Sequence, residues 1–173
     1  GNGSTGVQLV SALAGRAALL EHYQRTAQWI MPVDNTPFSE ADRARFRADP
    51  AALREAMKMD EYFAGVERYT QAIVDPQSEG AREMGAVCLA NLENSVHAPQ
   101  LREKLRPDHQ ALCKRLVFSP DYYAAIQHPR SRLVTEGIER IEPQGIRTRR
   151  RAARARRDRA RHRLPRRPLH APD

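Results

Sequence analysis

The sequence predicts an α/β fold, and three observations support this prediction. The chain opens on GNGSTGVQLVSALAG, a G-x-G-x-x-G turn that leads directly into apolar residues at helical spacing. The next stretch, ALLEHYQR, is typical of a short strand. Towards the other end, KRLVF is strand-like, PDYYAAIQ predicts a helical turn, and RLVTEG and ERIEPQGIRT predict two strands around a tight turn. This order of elements favours a sheet with helices packed on it.

The stretch between these two parts predicts helices. TAQWIMPVDNTPFS is a loop with two prolines, after which SEAD resembles a helix cap. Asp49-Pro50 is a further start signal, for a helix that runs towards Ile73. SEGAREMGAVCLANLENSV predicts a third long helix, and PQLREKL a short one that ends at Pro107. We therefore expect a helical insertion of about residues 38–106 that interrupts the sheet.

The charge of the chain is concentrated at its C-terminal end. The formal net charge of +8 suggests a nucleic-acid or membrane partner until its distribution is considered. Residues 149–173 hold eleven Arg, no Lys and two Asp, a net charge of +9, so residues 1–148 are close to neutral. No apolar run is long enough to span a bilayer, and we expect no membrane partner. Whatever explains the tail therefore explains the basic character of the whole chain.

The two cysteines have no spacing typical of a metal site. Cys88 and Cys113 lie far apart in the sequence and have no set of His partners nearby. Ordinary reduced thiols in a cytoplasmic protein are the expected state, and no metal is predicted.

Gly1, Gly3 and Gly6 have the spacing of a dinucleotide-binding turn. The first glycine permits the tight bend, the second lets backbone N–H groups approach a pyrophosphate, and the third lets the helix pack closely. The N-terminus of the following helix supplies partial positive charge for the phosphates. A glycine-rich loop of another kind remains an alternative on this motif alone.

Residues further along the chain favour NADPH as the cofactor. About 20 positions past the glycines, an acidic residue selects NAD and a basic residue selects NADP. This neighbourhood holds Gln24, Arg25 and Thr26, and an Arg fork with a Thr hydroxyl suits a phosphate. An Arg on a solvated loop is the alternative. Lys114 and Arg115 are a second concentration of charge and, on a strand, would point in opposite directions.

Taken together, three stretches resemble the Baeyer–Villiger monooxygenases, flavoproteins related to the flavin-containing monooxygenases. They are GNGSTGVQLVSALA, HYQRTAQWIMP and LRPDHQALCKRLVFSPDYYAAIQHPRSRLVTEGIERIEPQGIRT. The resemblance covers most of residues 1–148 in the same order and is loosest over about 38–98. It implies that residues 1–148 are a partial Rossmann-type domain, the NADPH-binding one of two, with a helical insertion and without its first strand.

The resemblance also assigns roles to individual residues. One group would hold the pyrophosphate of NADPH, a second group its 2′-phosphate, and one arginine would lie beside the flavin. These are Gly1, Gly3, Ser4, Thr5 and Gly6 for the pyrophosphate, Arg25, Thr26 and Lys114 for the 2′-phosphate, and Arg115 as the catalytic arginine. The fixed charge of this arginine would stabilise negative charge that forms when one oxygen of O₂ is inserted beside a ketone carbonyl. The product of this reaction is an ester or a lactone.

The resemblance further implies that the chain is a fragment. The FAD-binding glycine turn of the family and its F-x-G-x-x-x-H-x-x-x-W signature would both precede Gly1. The intact enzyme would depend on FAD and NADPH. We expect this chain to be inactive alone, because the main FAD-binding domain is not among its residues.

We expect the arginine-rich tail, residues 149–173, to be irregular, helical or disordered. After GIRT the family continues into a buried strand resembling D-V-I-V-L-A-T-G-F, where this chain has RRRAARARRDRARHRLPRRPLHAPD. Codons for Arg154–Arg166 can be chosen so that moving forward one base gives E-L-D-V-I-V-L-A-T-G-F-H. We infer a frameshift near residues 148–152. The competing hypothesis is a nucleic-acid-binding arm, which would attract phosphate backbones without sequence preference.

Overall fold

The computed structural model describes residues 1–149 and 151–154 of the chain. Its helices are α1 (Ser4–Leu13), α2 (Glu40–Ala48), α3 (Pro50–Ala56), α4 (Met59–Val74), α5 (Glu79–Ser95), α6 (Pro99–Leu105) and α7 (Tyr122–Ile126). Its strands are β1 (Leu20–Tyr23), β2 (Ile30–Met31), β3 (Val117–Phe118), β4 (Ser131–Val134), β5 (Ile138–Glu142), β6 (Gly145–Thr148) and β7 (Arg151–Arg154). This mixture confirms the predicted α/β class. Contacts between residues divide the chain into two compact units. The first is Gly1–Thr135, and the second begins at Glu136.

Two parallel strand pairs form the sheets of the first unit. Strand β1 pairs with β4, with Leu20 opposite Ser131, and β2 pairs with β3, with Ile30 opposite Val117. Parallel neighbours require long crossover connections, and here helices supply them. The main core lies between these strands and helices α1, α5, α6 and α7. It consists of Val7, Val10, Ile30, Leu92, Val96, Leu105, Val117, Tyr122, Tyr123, Ile126 and Leu133.

The helices between β2 and β3 begin where the sequence predicts, with one difference. The Oγ of Ser39 accepts from the N–H of Asp42, whose carboxylate accepts from the N–H of Ser39, so the predicted cap of α2 is confirmed. The predicted continuous helix from Pro50 to Ile73 is wrong. It is broken at Lys58, whose φ of 45° is left-handed and cannot continue a right-handed helix. Neither Gly nor Pro marks this break in the sequence.

Helix α5 anchors the helical segment to the core. The Oγ of Ser78 caps its first turn, and the Nδ2 of Asn91 donates to the carbonyl of Ile30 in β2 at 3.0 Å. Cys88 lies buried on its inner face, and this burial raises the pKa of its thiol to about 11. Cys113 is exposed. No helix within the described residues is long and apolar enough to cross a membrane.

The second unit begins with an antiparallel hairpin. Strand β5 pairs with β6 around Pro143-Gln144, with Glu142 opposite Gly145. The tight turn therefore lies inside ERIEPQGIRT, and not between RLVTEG and ERIEPQGIRT as predicted, because RLVTEG supplies β4 to the first unit. The predicted domain boundary after residue 148 remains a prediction.

The first residues of the arginine-rich tail form a strand, which corrects the expectation of an irregular or helical tail for these positions. Strand β7 pairs antiparallel with β6, with Thr148 opposite Arg151 and Gly145 opposite Arg154. The edge of β6 that does not face β5 offers backbone N–H and C=O groups, and this pairing satisfies them. Residues 155–173, on which the prediction of disorder mainly falls, lie outside the described residues.

A buried histidine lies in β1. The side chain of His22 is 5% exposed, and neither ring nitrogen has a hydrogen-bond partner in the described part of the chain. Its ring meets the ring of Tyr122 edge-on, with centroids 6.0 Å apart. Burial lowers the pKa of His22, because the charged imidazolium would lose its hydration.

This histidine should make the fold sensitive to acid. The pKa of His22 in the folded state lies below its value of about 6.5 in the unfolded state. The folded state therefore has its full stability above that pH and loses stability as the pH falls through the folded-state pKa. We expect the free energy of unfolding to fall as the pH is lowered below about 6.5, and to fall less in His22→Leu. Urea titrations of the full chain at each pH measure this. An acid response in His22→Leu as large as that of the unmodified chain would contradict the prediction.

Candidate functional site

The glycine turn packs tightly against the first turn of α1 at one position only. A Cβ added to Gly6 would lie 2.0 Å from the carbonyl oxygen of Gly1, which no side chain tolerates. A Cβ on Gly1 or Gly3 would meet nothing within 4 Å. The third glycine is therefore required for packing, while the first two leave open space beside the turn.

The N-terminus of α1 has the features of an anion site. Gly3 is its N-cap, no side chain caps the helix, and its first turn holds no acidic residue. The first bond of the helix runs from the N–H of Val7 to the carbonyl of Gly3, so the N–H groups of Ser4, Thr5 and Gly6 have no partner within the helix. Ser4 and Thr5 are exposed beside the open turn. This arrangement can bind a phosphate.

Arg25 and Thr26 follow the carboxyl end of β1, next to the turn. The N–H of Gln24 donates to the carbonyl of Val134 at 2.8 Å, which extends the pairing with β4 up to the residue before Arg25. The Oε1 of Gln24 accepts from the Nδ2 of Asn2 at 2.9 Å. One side-chain hydrogen bond therefore connects the glycine turn to the Arg25–Thr26 segment. Arg25 is exposed and forms no hydrogen bond or ion pair with any other described residue.

Lys114 and Arg115 lie just before β3. Both are exposed, and Lys114 lies in a bend that follows Leu112, whose φ of 70° is left-handed. The expectation that they point to opposite faces of a strand is therefore wrong, because the strand begins only at Val117. The N–H of Val117 donates to the carbonyl of Trp29 at 3.2 Å, so this segment runs beside the one that begins at Thr26.

Two clefts in the first unit lie apart from these residues. The larger, of about 440 Å³, lies between the exposed face of α1 and the segment after β3. The smaller, of about 310 Å³, lies between α5 and α7. None of the predicted site residues lines either cleft. No cluster of three or more His, Cys, Asp and Glu side chains suited to a metal ion occurs in the part of the chain that the structure describes.

Sequence reasoning missed two residues that shape the site, Asn2 and Gln24. Both are polar and buried, 7% and 4% exposed, and they bond to each other across 22 positions of the chain. Nothing in the local sequence distinguishes them from exposed amides. The available signal was their position, because each one directly adjoins a predicted phosphate-binding residue.

Proteins of similar sequence are monooxygenases, the class that the sequence resemblance implies. The chain is 43% identical over 146 residues to an uncharacterized monooxygenase of Mycobacterium tuberculosis, which covers 84% of this chain and 29% of that protein. It is 30% identical over 146 residues to a Baeyer–Villiger monooxygenase of Pseudomonas aeruginosa, which covers 84% of this chain and 27% of that protein. No protein-family model matches the chain.

Solved structures have a similar fold. The structure of OTEMO in complex with FAD and NADP matches 89% of this chain and 35% of its own, with a TM-score of 0.65 and 24% identity. A cyclohexanone monooxygenase matches 88% of this chain and 36% of its own, with a TM-score of 0.66 and 20% identity. These structural likenesses show a shared fold, and the sequence relatives confirm the resemblance to the Baeyer–Villiger monooxygenases. The chain spans less than a third of the length of the sequence relatives it matches.

The contact at Gly6 yields a direct test of the turn. Gly6→Ala should lower the free energy of unfolding by about 1–3 kcal/mol, because the new methyl group overlaps the backbone of Gly1. Gly3→Ala is the matched control, since its Cβ meets no atom and its φ of −69° is ordinary. It should cost less than about 1 kcal/mol, as a change at an N-cap. Urea unfolding of both variants measures the difference, and equal losses would show that the turn is not packed this way.

Proposed function

We propose that this chain is the NADPH-binding part of a Baeyer–Villiger-type flavin monooxygenase that oxidises a ketone to an ester or lactone. The observation that carries this proposal is the position of Arg25, which pairs with no other described residue, beside a glycine turn at a helix N-terminus. A cation next to an anion site suits a ligand with two separate phosphate groups, as NADPH has. Relatives named Baeyer–Villiger monooxygenase and a solved relative bound to FAD and NADP support it.

In this proposal residues 1–148, which include the whole first unit, are a partial Rossmann-type domain. The pyrophosphate lies in the open space beside Gly1 and Gly3 and accepts from the N–H groups that begin α1. Ser4, Thr5 and Gly6 supply these N–H groups. Arg25 and Thr26 bind the 2′-phosphate, which Lys114 approaches from the segment before β3. Residues 38–106 are the helical insertion of this domain, and residues 1–148 its extent.

Arg115 is the proposed catalytic residue. It is exposed, permanently charged, and without a hydrogen bond or ion pair to the other described residues. Its guanidinium therefore remains available to stabilise negative charge beside the ketone. When bound, NADPH supplies reducing equivalents and FAD activates O₂.

Partners and location follow from the same proposal. A small ketone and O₂ are the substrates, and the cytoplasm is the proposed location. Nothing in the comparisons supports the nucleic-acid-binding alternative for the arginine-rich tail.

We propose that this tail results from a frameshift near residues 148–152, by one inserted base or two lost bases. The test is to sequence the coding DNA across residues 140–173. We expect D-V-I-V-L-A-T-G-F one base out of register, beneath the stretch that ends at Pro165. A stop codon or an unrelated shifted sequence would overturn the frameshift and make the arginine arm the feature to study.

Binding of the two dinucleotides tests the cofactor assignment. Arg25→Ala should weaken NADP⁺ binding about 10–100-fold, because it removes a charged partner of the 2′-phosphate, and should leave NAD⁺ binding unchanged. Calorimetric titration of the full chain with each dinucleotide measures both affinities. Arg16→Ala, at an exposed arginine between α1 and β1, is the matched control. The assignment fails if the unmodified chain does not prefer NADP⁺, or if both arginine variants behave alike.

A further inference from the structure

The side chain and the backbone of Gln24 together join three elements at one buried point. Its Oε1 accepts from Asn2 in the glycine turn at 2.9 Å, and its Nε2 donates to the carbonyl of Lys104 at 2.7 Å. Its backbone N–H donates to Val134, beyond the last residue of β1. The glycine turn, the end of α6 and the edge of β4 therefore all meet at the residue before Arg25.

Only one orientation of the side-chain amide of Gln24 allows all of its hydrogen bonds to form. A rotated amide would place the NH₂ group of Gln24 against the NH₂ group of Asn2, and its oxygen against the carbonyl of Lys104. This carbonyl is one of the last in α6 and has no partner further along that helix. Both amides are almost completely buried, so an unmade bond would leave polar groups without water. The separation between the turn and Arg25 is therefore tightly constrained.

We propose that Gln24 is a positioning residue that sets the separation between the glycine turn and the Arg25–Thr26 segment, and thereby the preference for NADP(H) over NAD(H). This inference rests on the proposed function. NADP(H) must reach the turn with its pyrophosphate and Arg25 with its 2′-phosphate at the same time, so its affinity depends on this separation. NAD(H) lacks the 2′-phosphate and depends only on the turn. Loss of the Gln24 contacts therefore weakens the two ligands unequally.

The experiment compares two glutamines that form similar networks. Gln24→Met keeps the size of the side chain and removes its polar contacts. Gln127→Met does the same at a side chain that bonds to the carbonyls of Ser95 and Tyr123 and to the N–H of His97, away from the predicted site. Calorimetric titrations of the full chain with NADP⁺ and NAD⁺ give the ratio of the two affinities. Circular dichroism and urea unfolding report the fold of each variant.

We expect Gln24→Met to weaken NADP⁺ binding about tenfold, which corresponds to ~1.4 kcal/mol, and to weaken NAD⁺ binding much less. Gln127→Met should lose stability and keep the wild-type ratio. In the Arg25→Ala background, Gln24→Met should change NADP⁺ binding little further, because both changes act on the same contact. An unchanged ratio in Gln24→Met, or the same change in Gln127→Met, overturns the positioning role.

Asn2→Ala keeps the test decisive if Gln24→Met does not fold. This change breaks the bond from the turn side and leaves the contact of Gln24 with Lys104 in place. It should shift the affinity ratio in the same direction, and an unchanged ratio overturns the inference. If the unmodified chain binds NADP⁺ no better than NAD⁺, the proposed function fails and the positioning role fails with it. If the unmodified chain prefers NADP⁺ and both variants keep that preference, only the positioning role fails.

Discussion

The close approach of α1 to the glycine turn is the constraint on which the rest of the site depends. Val7 and Val10 hold the inner face of the helix in the core, and the missing side chain of Gly6 lets its first turn rest on the backbone of Gly1. These contacts fix the direction in which the helix begins. The free N–H groups at its N-terminus then point towards the open side of the turn, where an anion can bind. The apolar core thus determines where the polar chemistry takes place.

The described strands are too short to determine the geometry of the site by themselves. The pairing of β1 with β4 has four residue pairs, and that of β2 with β3 has two. Small sheets of this kind are marginal without packing from helices. Partly buried side chains supply further connections, since Asn91 donates to β2 and the Nε1 of Trp29 donates to the carbonyl of His109. Each of these hydrogen bonds connects segments far apart in sequence. Side chains therefore help to maintain the register of strands whose backbone hydrogen bonds are few.

Local chemistry explains how much of this structure the sequence predicts. The capping pair at Ser39, the helix start after the first glycines and the proline starts of α3 and α6 are each encoded within a few residues, and these predictions hold. The break at Lys58 and the left-handed Leu112 carry no such signal, because a residue of ordinary propensity is held there by its surroundings. The fold around the site is therefore predictable where neighbours in sequence decide it, and unpredictable where distant contacts do.

The same distinction applies to the predicted site residues. Arg25 is predicted from the sequence because charge at this distance from a glycine motif has a direct chemical meaning, and Lys114 is predicted from the family resemblance. Asn2 and Gln24 are not predicted, because an amide has no preferred role until its partners are known. Yet a cation without a fixed position binds any phosphate weakly, since ordering it at the moment of binding costs entropy. In the proposed function, specific recognition of a dinucleotide thus depends on the buried amides beside these charges as much as on the charges themselves.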